Sequence, residues 1–175
     1  MDFSPEPEQE KASSSLSQPQ VAVLAAIANR IFPRGETPGA VEIGALDYIL
    51  IALDGDYAQF LPLYRAGLDA VGREARIRLE SDFVALDGAA QDAILTDFES
   101  GTVSGFEQAA EFFETVRYHV LEGVFCEPEY GGNKEMIGWT LVGFPGQQPG
   151  YPDPYINKRV DLAPLAVNYG KKENR

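Results

Sequence analysis

The sequence predicts an all-α fold, a single compact domain of about five helices closed at its C-terminal end by a long irregular loop. Three observations predict it. Apolar residues recur at spacings of three and four in five separate stretches. No stretch alternates apolar and polar residues for long enough to demand a strand. Glycine, proline and aromatic residues gather between 125 and 146 at a density found nowhere else in the chain, and the first two interrupt helix and strand alike. A chain of 175 residues is one domain in prior expectation.

Residues 1 to 16 combine Ser, Pro, Glu and Gln with few apolar side chains and predict a disordered tail, because they bury too little surface to offset ordering. Ser17 then caps a first helix carrying Val21, Leu24, Ile27, Ala28 and Ile31, which stops at Pro33 and Gly35. After Thr37-Pro38-Gly39, a second helix places Ile43, Leu46, Leu50 and Leu53 on one side and ends at Gly55. The third is longer. Its stripe is Tyr57, Phe60, Leu61, Tyr64, Leu68, Val71 and Ala75, with Pro62 near the first turn and Gly72 as a point where it could kink. A short helix over 88 to 99 carries Ile94, Leu95 and Phe98 and ends at Ser100-Gly101. Ser104 is the expected cap of the last helix, whose Phe106, Ala109, Phe113, Val116, Val120 and Val124 share a face. The helical domain thus runs from 17 to 155, and 156 to 175 is expected to be an extended tail docking through Leu162, Leu165 and Val167.

Composition narrows the function. With 27 acidic against 14 basic residues, the formal net charge is −13, which repels nucleic acid and anionic membrane surfaces. The longest apolar runs, Val21 to Ala28 and Ala45 to Leu53, fall far short of the roughly 20 residues a bilayer span needs, so no direct membrane insertion is expected. A single cysteine, Cys126, excludes an internal disulfide and a thiolate cluster.

The chemistry sought along the chain is sparse. Glu111, Glu114, Tyr118 and Glu122 lie opposite the apolar stripe of the last helix, and carboxylates so grouped are of the kind that bind hard cations. A solvated acidic face is the ordinary state of such a pattern, and it is the reading adopted, with no metal site. His119 and Glu122 reverse the order of a di-iron Glu-x-x-His pair, and His119 is the only histidine, so that chemistry is excluded. His119 is expected to be half-buried and hydrogen-bonded. It lies seven residues from Cys126, about 10 Å along a helix and too far for a nucleophile–base pair. Dinucleotide, Walker and nucleophile-elbow motifs are absent, and no catalytic residue is assigned.

The C-terminal segment remains. An ordered loop of this length is usually functional, and aromatics on a rigid loop are typical partner anchors. The expected interface residues are Tyr130, Gly131, Gly132, Asn133, Trp139, Gly143, Phe144, Pro145 and Gly146. Cys126 is expected to be a small buried hydrophobe, the alternative being an intermolecular thiol. An independent small enzyme, an electron carrier or a sugar-binding module using Tyr130 and Trp139 are the competing readings.

At these residues the sequence resembles the gluconate 2-dehydrogenase subunit 3 family. The likeness rests on Glu127-Pro128-Glu129-Tyr130-Gly131-Gly132-Asn133, then Gly138-Trp139 and Gly143-Phe144-Pro145-Gly146. Upstream, Ile31-Phe32-Pro33, Pro38-Gly39-Ala40 and Phe83 to Leu95 leading into Gly101 also fit, so the similarity runs from about Leu16 to Pro154. The resemblance implies a small subunit with no chemistry or cofactor of its own. It implies as partner a large FAD-carrying subunit of the glucose-methanol-choline type, and in the wider complex a cytochrome c subunit. It further implies export of the folded pair to the periplasm behind a twin-arginine leader. No such leader is present in the sequence; the linker-like composition of 1 to 15 fits a chain that starts after one, and a cytoplasmic partner is the alternative. A role for the Cys126 thiol is not implied.

Overall fold

A computed structural model describes residues 16–146, and among these every regular element is helical. The expected tail at 1 to 15 and the tail at 156 to 175, with Leu162, Leu165 and Val167, lie outside the described residues. Leu16, at the edge of the first of these, is buried against the core.

The five long helices anticipated from periodicity are present. Helix α1 (Gln18–Ile31) opens on a capping box in which the Ser17 hydroxyl accepts from the Gln20 amide and the Gln20 side chain accepts from the Ser17 amide. The second expected helix is two. Gly44, at φ 101°, divides a four-residue turn, α2 (Ala40–Ile43), from α3 (Ala45–Leu53). A left-handed residue cannot continue a right-handed helix, so the chain changes direction there. Helix α4 (Leu61–Leu79) is continuous: Pro62 sits in the first turn, where its missing N–H is not needed, and Gly72 produces no break. Helix α5 (Gly88–Ser100) is capped by the Asp87 carboxylate, which accepts from the Ala90 amide at 2.8 Å, and ends on Gly101 at φ 69°.

Helix α6 (Ala109–Phe125) starts later than expected. Ser104 does not cap it, because Gly105 takes φ 70° and the chain makes a further turn before Gln108. Phe106 therefore packs inward from that turn, its ring 6.1 Å from Phe98 and 6.3 Å from Phe112. Helix α6 is the centre of the domain and packs against α1 to α5. Phe112, Val116, Val120 and Val124 on α6 meet Tyr64 and Leu68 of α4, Phe98 of α5, Ile49 of α3 and Leu24 and Ile27 of α1 in one core. Each such fully buried aliphatic or phenylalanine side chain favours folding by about 1.5 to 3 kcal/mol over exposure. Ion pairs such as Arg30–Asp92, between α1 and α5, lie at the surface and add less, about 0 to 1 kcal/mol each.

The segment after α6 is irregular only in part. Single 3₁₀ turns at Pro128–Tyr130 and Lys134–Met136 lead into a six-residue helix, α7 (Ile137–Val142), which carries Trp139. No helix among the described residues is long and apolar enough to cross a membrane.

Candidate functional site

A helix leaves its last carbonyls without intrahelical donors, and the C-terminus of α6 is covered by protein. The segment 126–139 supplies the missing donors. The Glu122 carbonyl receives the Cys126 amide, and the Gly123 carbonyl receives the Asn133 amide at 2.8 Å. The Phe125 carbonyl receives the Trp139 indole N–H at 2.7 Å. Asn133 does most. It is fully buried in the left-handed region at φ 42°; its Nδ2 donates to the Cys126 carbonyl and its Oδ1 accepts from the Gly138 amide, both at 2.8 Å. Asparagine tolerates that backbone better than most residues, and its side chain offers donor and acceptor at once.

The glycines follow from this close approach. A Cβ on Gly138 would overlap the Val124 carbonyl, and one on Gly132 would overlap the Gly123 carbonyl and lie 2.8 Å from the Cys126 sulfur. Of the glycines among the proposed interface residues, Gly131, Gly143 and Gly146 have positive φ, at 92°, 66° and 81°, and Gly132 does not.

The sequence-predicted residues therefore separate into two groups. Gly132, Asn133, Trp139, Pro145 and Gly146 are buried, with Trp139 only 7 % exposed and edge-on to Phe144 at 5.1 Å. Tyr130 and Phe144 face outward, 56 % and 40 % exposed, beside exposed Leu141, Val142 and Gly143. Gly131 lies between the groups, in the wall of a cleft. Cys126 is half-buried with its sulfur 3.7 Å from the Gly123 carbonyl oxygen, and burial raises the thiol's pKa.

The acidic side of α6 differs from expectation. Glu111, Glu114 and Tyr118 are exposed, Glu114 paired with Arg117. Glu122 is not solvated as they are: α3 and the turn after it cover the carboxylate, and one of its oxygens accepts from the Tyr48 hydroxyl at 3.2 Å and the Tyr57 hydroxyl at 3.0 Å. Burial is the first cause keeping both phenols protonated, and Glu122 adds to it. Among the described residues no cluster of three or more His, Cys, Asp or Glu side chains is arranged to hold a metal.

His119 is buried more deeply than the sequence suggests, 3 % exposed, with Nδ1 2.9 Å from the Tyr64 hydroxyl. Its ring stacks on Tyr57 at 4.4 Å and lies parallel to Tyr64 at 5.9 Å. Desolvation lowers its pKa below the ordinary 6.5, outweighing the opposite pull of Glu122. The unfolded chain therefore takes up the proton first as pH falls, so His119 contributes a loss of stability below about pH 6.5. Urea unfolding between pH 7.5 and 5 should show this loss, and His119→Gln should lessen it. Identical pH slopes for the two proteins would contradict the burial argument.

The contacts of Tyr48 and Tyr57 with Glu122 escaped sequence reasoning, which placed Tyr57 on the stripe of a helix that in fact begins at Leu61: the two phenols meet Glu122 across 74 and 65 residues. The cap they border carries the motifs singled out above. The family model for gluconate 2-dehydrogenase subunit 3 matches residues 18–146, most of the chain and all of the helical core with its cap. The chain belongs to the gluconate 2-dehydrogenase subunit 3 family. No curated protein and no solved structure matches it. Within a subunit 3 chain the Tyr-Gly-Gly-Asn and Gly-Trp motifs acquire a physical meaning: they close the C-terminus of α6 and leave Tyr130 and Phe144 outside.

Proposed function

We propose that the chain is the non-catalytic small subunit of a sugar or sugar-acid dehydrogenase, binding no cofactor itself. Its partner is an FAD-carrying large subunit of the glucose-methanol-choline type, which it stabilises and accompanies to the periplasm. A cytochrome c subunit accepts electrons in the wider complex. The match to subunit 3 over residues 18–146 carries this reading. The exposed side chains support it: Ile51, Tyr130, Leu141, Val142 and Phe144 leave apolar surface in water on or beside the cap, as association surfaces do.

Co-expression tests it. The large subunit is expected to be poorly soluble and low in flavin when made alone, and to co-purify with this chain, flavin-loaded, when made together. The isolated chain should show no flavin or haem absorption. A large subunit that folds, takes up FAD and is exported equally well without this chain would overturn the proposal.

A further inference from the structure

Between α3 and the cap lies a cleft of about 440 Å³, walled by Tyr48, Tyr57 and Tyr130, with Asp56 and Glu129 at its edge and Ile51 beside them. It is an aromatic box with two negative charges and no lysine or arginine in its lining. Among the described residues neither Asp56 nor Glu129 makes an ion pair, whereas carboxylates elsewhere on the surface pair with Arg30, Arg34, Arg76, Arg78, Arg117 and Lys134. The walls are held in place from behind, where Glu122 fixes both the Tyr48 and Tyr57 hydroxyls and His119 stacks on the Tyr57 ring. Tyr130 and Ile51, by contrast, stand 56 % and 59 % exposed at the mouth.

Phenol faces carry negative electrostatic potential and attract cations, and paired carboxylates reinforce that choice. Guanidinium suits such a box better than ammonium: it is planar, weakly hydrated, stacks on aromatic rings and engages carboxylates with two N–H groups at once. A chain of net charge −13 attracts basic partner segments, and the cleft offers them two carboxylates with no cation in its lining. We propose that the cleft docks an arginine side chain of the dehydrogenase large subunit, its guanidinium lying against Tyr130 and Tyr57 and paired with Asp56 and Glu129. The inference rests on the subunit reading for the identity of the partner, and on the cleft alone for the chemistry it selects.

Two arms of one experiment separate these. In the first, the full chain is titrated with acetyl-arginine-amide while its backbone amides are followed by NMR, and acetyl-citrulline-amide, nearly the same shape without the charge, serves as the control. The Gly55, Asp56 and Gly131 signals should move with the arginine compound and stay with the citrulline compound. The double substitution Asp56→Asn with Glu129→Gln, at two exposed positions, should weaken the response about tenfold. Equal shifts with citrulline, shifts confined to another face, or an undiminished response in the double variant would overturn the assignment. In the second arm, the same variant should bind the large subunit more weakly and with a shallower dependence on salt. If the unaltered chain fails to bind any large subunit, the subunit reading falls while the first arm still decides the chemistry of the cleft. If it binds and the double variant binds equally well at every salt concentration, the docking proposal falls alone.

Discussion

Asn133→Ala is expected to destabilise the domain by about 2 to 4 kcal/mol, a large effect for the loss of one polar side chain. The substitution removes both hydrogen bonds by which the side chain joins α6 to α7, leaving the buried Gly138 amide and the Cys126 carbonyl without their partner. Each buried group so orphaned costs about 1 to 3 kcal/mol. Alanine must also hold φ 42°, where its Cβ crowds the backbone and asparagine is better tolerated. Urea denaturation should show a lower midpoint with an unchanged slope, because the same surface is exposed on unfolding. Asn133→Asp keeps an acceptor for the Gly138 amide but buries a carboxylate whose second oxygen opposes the Cys126 carbonyl, so at neutral pH it should cost at least as much as the alanine. Tyr130→Ala, three residues earlier and 56 % exposed, should stay within about 0.5 kcal/mol of the unaltered chain. A stability loss at Asn133 no larger than at Tyr130 would mean the cap does not hold the end of α6.

That contrast also locates where the sequence was legible. Apolar spacing alone marked the five long helices, since burial against a common core imposes the helical period on each. Local capping chemistry was readable where its partners are local, as in the Ser17–Gln20 box. It misled at Ser104, where Gly105 and the inward turn of Phe106 postpone the helix, a choice made by the packing of Phe106 on Phe98 and Phe112. The break at Gly44 was hidden for a related reason: a lone glycine inside an apolar stretch carries no sign of the φ it will take. In the candidate site, residue types marked the segment but not which of its residues are buried over the end of α6 and which stay exposed. Glycine, asparagine and tryptophan suit a rigid display loop and also suit a plug over exposed helix carbonyls. The carbonyls that decide between these uses belong to α6 and have no signature of their own. Glu122 shows the same limit, because its polar position on the helix face is legible and the two phenols that cover it come from far along the chain.

Trp139→Ala should cost about 2 to 4 kcal/mol in folding alone, before any partner is considered. The side chain is 7 % exposed, and truncation would open a cavity beneath Phe144 and strip the Phe125 carbonyl of its donor. Trp139→Phe separates the two contributions, since it keeps most of the buried ring and loses the indole N–H; a cost of about 1 to 2 kcal/mol is expected. Phe144 tests what lies beyond. It packs edge-on against Trp139 at 5.1 Å while remaining 40 % exposed, so it meets the core through one edge and solvent through the other. If the proposed interface is correct, Phe144→Ala removes area that the large subunit would cover and should weaken association while costing the free chain about 1 kcal/mol or less. Trp139→Ala would weaken association as well, but in step with its lost stability, because the residue reaches the partner through the cap it supports. Denaturation midpoints and affinities for the large subunit, measured on the same three variants, give the comparison. Affinity that follows stability at Trp139 and departs from it at Phe144 would assign the inner ring to the fold and the outer ring to the partner. Unchanged affinity in Phe144→Ala would leave both rings to the fold and place Phe144 outside the interface.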